Sequence, residues 1–561
     1  MSINNWTALT IILLAVSAIM LPMAFMGIPD GYDLMQHIRF AEVYHDSILA
    51  GNFFPSWGAD DNLGFGSIGI RYYPPVAYFI LALTKIVTGN WYDSFWINSF
   101  GWMLLGCIGI YFWAKEWLSS AHATFAAVIY ALVPYHTFQI YQAVLFAEFA
   151  AAGILPFCFL FLTRICRRQR WDDAILFSIS YALLILTHIP STIIASPCMA
   201  IYVLLILDKS QLKATAIRLV SASVLALSAT AFHLAKLVTE KDWVQHNSPQ
   251  YYSSGYYDYH RYFFPLFYSS STRYVEKLLW QLDIIVAVTF VLFLPLAVYL
   301  VFRKASKEKN SPELKTTRAL LAVGFFSLFM LTIASSFIWN YVPILQKIQF
   351  PWRWLLITSL FAPVSFSFVV PYLVSDSKNL NRAAIYPLIL FIVLLISFDI
   401  TQSILPSIPL SREVFQEKID DMKNNAGCEC WWPIWARSVA FERLDKADAG
   451  SRNAKIINWD AEIREFAVDA GEDKEIRVAT FYHPYWMATV NGTQVPVEKD
   501  ESGAILIPLP TDASDVNLFF QEPAYVTAAI VVSLVTWIMF AIFVAGFTVI
   551  KLRRGSFSKL S

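Results

Sequence analysis

Two ionisable residues near the start of the chain, Asp33 and His37, have the types and spacing of an acid–base pair. They stand four residues apart in a segment, 33–50, whose apolar spacing predicts a helix, so both side chains share one helix face. A carboxylate close to an imidazole can act as a general base that takes a proton from a hydroxyl group. The alternative is structural, with Asp33 capping the helix that follows it and His37 satisfied in an interface.

Three further ionisable residues, Glu148, His188 and Arg353, lie inside or at the rim of long apolar runs. Ionisable groups at membrane depth are costly unless they face a polar cavity or a partner, so each is a candidate functional residue. Arg353 stands between two tryptophans in the Phe-Pro-Trp-Arg-Trp motif of residues 350–354, where its planar fork fits two oxygens of a lipid phosphate. Snorkelling of this arginine beside an aromatic belt is the alternative.

A tyrosine- and histidine-rich stretch, residues 250–262, is a candidate sugar-binding segment that contains Tyr256, Tyr257 and His260. Aromatic faces with hydrogen-bonding groups beside them suit a sugar ring, and a tyrosine-rich interfacial loop is the alternative. The sequence holds no Gly-rich phosphate loop, zinc signature or nucleophile elbow, which argues against a nucleotide-driven pump and against a metal or serine hydrolase.

Six cysteines are too few for a disulfide framework. Four of them fall in or beside apolar runs as small core residues. Cys428 and Cys430 instead lie in a polar segment, where a pair with one residue between them is compatible with a bridge or with a metal site.

The elements that must position these residues are membrane helices. The chain is 57% hydrophobic and 16% aromatic, and its mean hydropathy is +0.51, well above that of a soluble protein. Apolar runs that approach the length of a bilayer span, on the order of 20 residues, lie near 7–28, 75–89, 94–114, 121–141, 143–163, 173–189, 191–207, 215–237, 282–302, 317–338, 352–374, 383–404 and 524–550. The first run lacks a basic n-region and a cleavage site, which predicts an anchor rather than a removable signal.

Positive residues predict the direction of these spans. They cluster in five segments that alternate with the spans and therefore belong on the cytoplasmic side: 164–170, 209–218, 303–318, 378–382 and 551–559. Loops 238–281, 339–351 and 405–523 then face outward. Loop 29–74, which is aromatic and acidic with few cations, faces outward only if an early run does not cross fully, and the short 75–89 run is the candidate. The 42 basic and 42 acidic residues balance, which does not point to a nucleic-acid partner.

The polar segment 405–523 predicts a small β-sandwich outside the membrane. Five runs have strand lengths, and several of them alternate apolar with polar residues: Glu475–Phe481, Trp486–Val490, Thr493–Val497, Ala504–Ile507 and Val516–Phe520. Asn491-Gly492 lies between two of them and is a strong hairpin signal, because a type I′ turn needs positive φ at both central residues.

In their order along the chain, these motifs resemble the bacterial membrane proteins known as 6-pyruvoyl-tetrahydropterin synthase-related. That family does not consist of pterin enzymes and is similar to the GT-C superfamily of polyprenyl-phosphate-sugar-dependent glycosyltransferases. The stretch 481–492 looks like the C-terminal β-domain of YfhO-like glycosylation proteins. The motifs that carry the resemblance are Asp33, Gly51-Asn52-Phe53-Phe54-Pro55-Ser56-Trp57, Tyr72-Tyr73-Pro74-Pro75, Glu148, Thr187-His188 and Phe350-Pro351-Trp352-Arg353.

The resemblance implies roles for the candidate residues. Such enzymes carry a catalytic Asp in the first outer loop, which maps onto Asp33 as the base of an inverting transfer, with Arg353 at the departing lipid phosphate. Some of them need a divalent cation such as Mg or Mn, and Asp60 and Asp61 are the nearest candidates for its ligands. The remaining candidates are His188, His260 and Arg71 for the donor phosphate and His37, Glu148, Tyr256 and Tyr257 for the substrate pocket.

The predicted protein is therefore a polytopic α-helical, GT-C-like membrane protein with about 12–14 spans. Its parts are a membrane domain over 1–404, a β-rich domain over 405–523, and a last span with a cytoplasmic tail over 524–561. The expected setting is a bacterial inner membrane, with the active site facing the periplasm or exterior, a polyprenyl-phosphate sugar as donor, and a lipid, glycan or protein as acceptor.

Two other functions are compatible with the same residues. In a transporter or flippase of a lipid-linked saccharide, Glu148, His188 and Arg353 would line a path, although the chain shows no convincing internal repeat and its long outer loops are hard to explain. A non-enzymatic assembly factor for the cell envelope is the third reading, and it predicts that Asp33 is dispensable.

Overall fold

A computed structural model of the 561-residue chain describes residues 3–248, 258–264, 273–303, 312–374, 390–391 and 393–557. The α-helices within these ranges are α1 Asn5–Met26, α2 Leu34–Leu49, α3 Gly69–Tyr72, α4 Val76–Thr88, α5 Trp91–Ala114, α6 Ser120–Ala131, α7 Pro134–Thr137, α8 Phe146–Arg168, α9 Trp171–Ile185, α10 Ile189–Ile206, α11 Leu212–Ala229, α12 Ala231–Glu240, α13 Arg273–Arg303, α14 Pro312–Leu331, α15 Ser336–Tyr341, α16 Pro343–Gln346, α17 Leu355–Val374, α18 Val393–Ile404, α19 Arg412–Lys423 and α20 Ala524–Phe557.

Ten helical segments among the described residues are long and apolar enough to cross a membrane. They are α1, α5, α6 with the π-helical turn that follows it, α8, α10, α11, α13, α14, α17 and α20. Two shorter apolar helices, α4 and α18, accompany them. The predicted class, a polytopic helical membrane protein, is confirmed.

The short helix α4 begins and ends on one side of the helical bundle. Its 13 residues rise only about 20 Å, less than the hydrocarbon thickness of a bilayer. Tyr73, just before α4, packs against Trp431 of the polar C-terminal segment, with ring centroids 5.5 Å apart. Asp93, just after α4, forms a 2.5 Å ion pair with Arg412 of the same segment. The 75–89 run therefore does not cross, as an outward-facing first loop requires.

Helix α8 separates the outer loops from a cationic cluster. It begins beside His37 of α2, whose Nε2 accepts a hydrogen bond from the Phe146 N–H, and its 23 residues rise about 34 Å. At its other end Arg164 and Arg168 both bind Glu116 at 2.8 Å. These cations thus lie about one membrane thickness from the outer loops. That they mark the cytoplasmic face stays a prediction from the positive-inside rule.

The C-terminal polar segment forms a β-sandwich, which confirms the predicted β-domain. Its strands are β3 Ala447–Asp448, β4 Ala454–Trp459, β5 Ile463–Val468, β6 Glu475–Phe481, β7 Trp486–Val490, β8 Thr493–Val495, β9 Glu498–Lys499, β10 Ala504–Pro508 and β11 Ser514–Phe520. Two antiparallel sheets, in the orders β3-β6-β10-β9 and β4-β5-β11-β7-β8, enclose one apolar core. The turn between β7 and β8 has positive φ at Asn491 (51°) and Gly492 (78°), as the predicted hairpin requires.

The first outer loop shares this core. Trp57 is fully buried and packs against Trp486 and Phe520 of the sandwich, with centroids 5.4 and 5.9 Å apart. Phe65 lies 5.1 Å from Phe481 in the same way. The short strands β1 Ile28–Pro29 and β2 Pro409–Leu410, which follow α1 and α18 in the chain, also pair with each other. Loop 29–74 and segment 405–523 therefore share one core, and together they are called the extramembrane body below.

Candidate functional site

A cavity of about 950 Å³ lies where the outer segments meet the ends of the membrane helices. Its volume is within the range of small-molecule sites, roughly 300–1,000 Å³. The walls are largely aromatic and apolar and come from α2, the 72–74 turn, α10, α12, the 343–353 segment and the 428–431 turn. The ionisable side chains that line it are Asp33, His37, His188, Lys241, His246, Lys347 and Arg353.

Asp33 opens onto this cavity from the N-terminus of α2. The approach of the chain is close, because a Cβ on Gly31 would lie 2.3 Å from Cγ2 of Val144, and the Asp33 N–H reaches the Ala143 carbonyl oxygen at 3.4 Å. Asp33 occupies the N-cap position, yet its carboxylate does not cap the helix. The side chain is exposed to the cavity rather than paired with a described residue.

The surroundings of Asp33 change its acidity. Desolvation by the surrounding cavity walls raises the pKa of its carboxyl from 3.8 to about 6; the positive charge of Arg353 opposes this shift, and the negative charge of Glu148 adds to it. Such a group is mostly ionised at neutral pH and is still basic enough to accept a proton. It has the ionisation that a general base needs.

Both ring nitrogens of His37, in contrast to the Asp33 carboxylate, have partners within the protein. Its Nδ1 lies 2.7 Å from the Tyr78 hydroxyl oxygen, and its Nε2 accepts the Phe146 N–H at 3.2 Å. Burial lowers its pKa to about 3, so the ring is neutral. The contacts match the structural alternative, in which His37 is a satisfied interface residue that fixes α2 against α8.

Glu148 and Arg353 form an ion pair below the cavity. Arg353 Nε lies 3.2 Å from Glu148 Oε2, and the Arg353 Nη1 group donates to the Ile348 carbonyl oxygen at 2.9 Å. The other carboxylate oxygen of Glu148 accepts hydrogen bonds from Tyr135 (2.6 Å) and Gln139 (3.0 Å). Glu148 is thus a buried support that orients Arg353, and Arg353 itself reaches the cavity wall.

Two strained backbone positions flank the site. Val144, in the turn that backs Gly31, has φ 52°, and Gln349, two residues before Pro351, has φ 73°. Neither residue type favours this region, least of all a β-branched one. Such strain persists only where the surrounding structure fixes it, often beside functional sites. Here it fixes the chain on both sides of the cavity, next to Asp33 and Arg353.

His188 lines the cavity as the N-cap of α10. Its Nδ1 lies 2.7 Å from the Ser191 hydroxyl and accepts the Ser191 N–H at 3.4 Å. Its ring lies beside Tyr73, with centroids 6.5 Å apart. The cap accounts for one ring nitrogen, and the ring still borders the space beside Asp33.

Arg71 and His260, both predicted at the donor phosphate, do not line the cavity. Arg71 is buried in a separate cluster, where its guanidinium binds Glu240 (2.6 Å) and Glu522 (2.7 Å). Its guanidinium is therefore paired with carboxylates of the protein itself. His260 is exposed and bonds to Asp258 (2.8 Å) and Asn340 (3.2 Å). Tyr256 and Tyr257 lie outside the described residues.

The candidate metal ligands are also apart from the cavity. Asp61 is buried and holds Arg39 at 3.2 Å and the Ser67 hydroxyl at 2.5 Å. Asp60 beside it is exposed. Within the described ranges, no group of three or more His, Cys, Asp or Glu side chains could hold a metal ion. A role for Mg or Mn stays a prediction.

The lining residues that the sequence analysis did not single out include Lys241, His246, Lys347 and Trp431. Lys241 and Lys347 bring positive charge to the wall, and His246 stacks on Trp431 with centroids 4.5 Å apart. Burial together with Arg353 and Lys347 lowers the pKa of His246 to about 4, so it is neutral. Their only signal in the sequence was closeness to motifs that had been singled out. Lys347 shortly precedes the 350–354 motif, and Trp431 follows the cysteine pair, which a disulfide bridge joins.

Comparison with known proteins gives a family. Residues 70–407, more than half of the chain, match the family model described as 6-pyruvoyl-tetrahydropterin synthase related domain, membrane protein. No curated protein sequence matches the chain.

Solved structures similar to the chain are distant from it. They include arabinofuranosyltransferase AftD from Mycobacteria (16% identity, TM-score 0.42, 72% of this chain and 27% of that one). Archaeal oligosaccharyltransferase AglB from Archaeoglobus fulgidus, with an inhibitory peptide and a dolichol-phosphate, gives 12% identity and a TM-score of 0.44 over 71% and 56% of the two chains. ArnT from Cupriavidus metallidurans, bound to undecaprenyl phosphate, gives 11% and 0.39 over 76% and 78%. The chain thus spans about a quarter of AftD and just over half of AglB.

Proposed function

We propose that this chain, which belongs to the 6-pyruvoyl-tetrahydropterin synthase related family of membrane proteins, is a glycosyltransferase that moves a sugar from a polyprenyl-phosphate donor to an acceptor hydroxyl. The observation that carries the proposal is the carboxylate of Asp33, which pairs with no described residue and lies at the wall of a 950 Å³ cavity. The raised pKa of this carboxyl group and its position near Arg353 support a role in chemistry.

In the proposed reaction Asp33 acts as the general base. It takes the proton of the acceptor hydroxyl while that oxygen attacks the anomeric carbon of the sugar from the face opposite the phosphate. The bond between the anomeric carbon and the phosphate oxygen breaks, and the polyprenyl phosphate leaves with the electron pair. The new glycosidic bond has inverted configuration, and the proton stays on Asp33 until solvent removes it.

The charges of the cavity wall support a phosphate-bearing donor. Lys241, Lys347 and Arg353 line it, whereas Asp33 is the one carboxylate among the described lining side chains. The charge of the leaving phosphate grows as the bond breaks, so fixed cations stabilise the transition state more than the ground state. A low-dielectric wall makes each of these contacts stronger than it would be in water.

Sugar transfer in membranes tests the proposal. Membranes carrying wild type or Asp33→Asn, at expression levels matched by immunoblot, are given a panel of radiolabelled polyprenyl-phosphate sugars. With the correct donor the wild type transfers label to endogenous acceptor, and Asp33→Asn lowers the rate on the order of 10²- to 10⁴-fold, the usual contribution of a general base.

Asp46→Asn is the matched control, because Asp46 lies on the same helix, is 57% exposed and does not line the cavity. It should retain the wild-type rate. Transfer that survives Asp33→Asn would remove Asp33 as the base. The absence of transfer with every donor, together with movement of a lipid-linked saccharide across vesicles, would favour a flippase instead.

A further inference from the structure

A disulfide bridge between Cys428 and Cys430 forms part of the cavity wall. The next residue, Trp431, also lines the cavity and is partly buried. The bridge and the tryptophan belong to a turn of the C-terminal segment that lies directly over the candidate site. The proposed reaction has no use for the two sulfur atoms.

The bridge holds the backbone on which Trp431 stands. The Trp431 N–H donates to the Cys428 carbonyl oxygen at 3.0 Å, and this closes a 3-10 turn over Glu429–Trp431. The Cys430 N–H points at the Cys428 sulfur at 3.3 Å. A turn this short has few conformations when its ends are covalently joined, so the bridge limits where the indole can lie.

Trp431 connects this turn to the opposite wall. Its ring stacks on His246 at 4.5 Å and meets the rings of Phe40 and Tyr73 edge-on, both at 5.5 Å. The His246 Nε2 atom lies 3.1 Å from the side-chain amide nitrogen of Gln349. Gln349 directly precedes the motif that carries Arg353. Contacts therefore lead from the bridge through Trp431 and His246 to Gln349, which stands at the start of the segment that carries Arg353.

The two sulfur atoms differ in access. Cys428 is exposed, whereas Cys430 is only 4% exposed. An external thiolate can therefore reach Cys428 and not Cys430. Attack on the Cys428 sulfur breaks the S–S bond, forms a mixed disulfide at Cys428 and releases Cys430, which takes up a proton. If the reagent is a dithiol, its second thiol displaces Cys428, so that the bridge gains two electrons and the dithiol becomes a disulfide.

We propose that Cys428–Cys430 is a thiol–disulfide exchange site whose oxidised form fixes Trp431 as a positioning residue for the bound sugar. Its exchange partner is an external dithiol on the side of the outer loops. An indole suits the apolar C–H face of a sugar ring and offers a wide contact area at small entropic cost. Reduction frees the turn, weakens substrate binding and leaves the Asp33 chemistry in place. The binding half of this proposal rests on the proposed function, and the exchange half does not.

The exchange half is tested on the whole purified protein without substrate. Maleimide labelling under denaturing conditions, followed by peptide mass spectrometry, should find Cys428 and Cys430 blocked before treatment with tris(carboxyethyl)phosphine and labelled after it. Hydrogen–deuterium exchange should then become faster at the amides of Trp431 and Gln245, whose N–H groups bond to the Cys428 and Trp432 carbonyl oxygens. Free thiols in the untreated protein, or unchanged exchange after reduction, would overturn the proposal.

The binding half is tested by kinetics of sugar transfer. Reduction of the wild type should raise KM for the donor or acceptor roughly three- to tenfold, the size of an aromatic contact, with kcat within about twofold. Cys428→Ser/Cys430→Ser should show the raised KM and no response to reductant. Trp431→Phe should retain more of the binding than Trp431→Ala. An unchanged KM in fully reduced protein would contradict this half, whereas the absence of transfer by the oxidised wild type would contradict the proposed function alone.

Discussion

The ionisation of Asp33 sets a pH dependence for the proposed reaction. Its carboxyl has a pKa of about 6 in the folded protein, and only the ionised form can accept a proton. We therefore expect kcat/KM to rise with pH to a plateau, with a midpoint near 6, and to fall as pH drops below that value. The measurement is a pH profile of transfer at low donor concentration, which reports the free enzyme.

Arg353 controls where this midpoint lies. Its positive charge favours the ionised form of Asp33, so Arg353→Gln should move the midpoint upward, roughly by one unit or more. Arg353→Lys keeps the charge and should leave the midpoint within a few tenths of the wild-type value. Equal midpoints in Arg353→Gln and Arg353→Lys would show that another group titrates.

Single residues could be found from the sequence where their type conflicted with their surroundings. Asp33, Glu148 and Arg353 stand out because ionisable groups are rare beside apolar spans, and the structure brings all three to one place. Arg71 and Lys241 show the limit of this reasoning. The resemblance placed Arg71 at the donor phosphate, but its partners are Glu240 and Glu522, which are far away along the chain. No local pattern marked Lys241 as a lining residue.

At the scale of elements, the turn that joins the π-helical segment Phe138–Gln142 to α8 determines where α2 begins. Gly31 packs on this turn so closely that a Cβ would lie 2.3 Å from Val144 Cγ2. We expect Gly31→Ala to displace Asp33 and to lower kcat, since small misplacements of a catalytic group are costly. The measurement is kcat in membranes at matched expression.

A second substitution provides the control for Gly31→Ala. Val144→Gly removes the methyl group that would clash, and it also relieves the positive φ of residue 144. Gly31→Ala/Val144→Gly should therefore recover much of the activity that Gly31→Ala loses. If the double variant is as impaired as Gly31→Ala, contact with Val144 is not the reason for the loss.

Local signals predicted some strands well and missed others for a physical reason. The hairpin at Asn491-Gly492 was evident because its turn chemistry and its flanking alternation are both local. Strand β5 was missed because its inward positions include Arg464, which is fully buried with its guanidinium 4.6 Å from Trp459 and 5.3 Å from Trp486. A charged residue at an inward position interrupts the alternation of apolar and polar residues by which a strand is recognised in a sequence.

At the scale of the whole molecule, the outer loop and the β-rich segment act as one body because distant parts of the chain share a core and a charge cluster. The distribution of positive residues along the chain predicted that both lie on one face of the membrane. It could not predict that Trp57 completes the sandwich, since that contact joins residues more than 400 positions apart. The same applies to the cavity, whose walls come from stretches of sequence that lie far apart along the chain.

The buried cluster around Arg71 joins the first outer loop, the end of α12 and the start of α20. Its loss should therefore lower the stability of the extramembrane body. Arg71 binds Glu240 and Glu522, and Arg71 and Lys236 hold the pKa of Glu522 down to about 2. Arg71→Met leaves two carboxylates without their main cation and should cost about 3–5 kcal/mol, seen as a lower Tm of the detergent-purified protein by tryptophan fluorescence. Arg71→Met/Glu240→Gln should recover part of that loss, because one of the two unpaired charges is removed.

Arg170→Met is the control, because it breaks an exposed ion pair with Asp172. It should leave Tm unchanged. A wild-type Tm in Arg71→Met would mean that the cluster does not stabilise the extramembrane body.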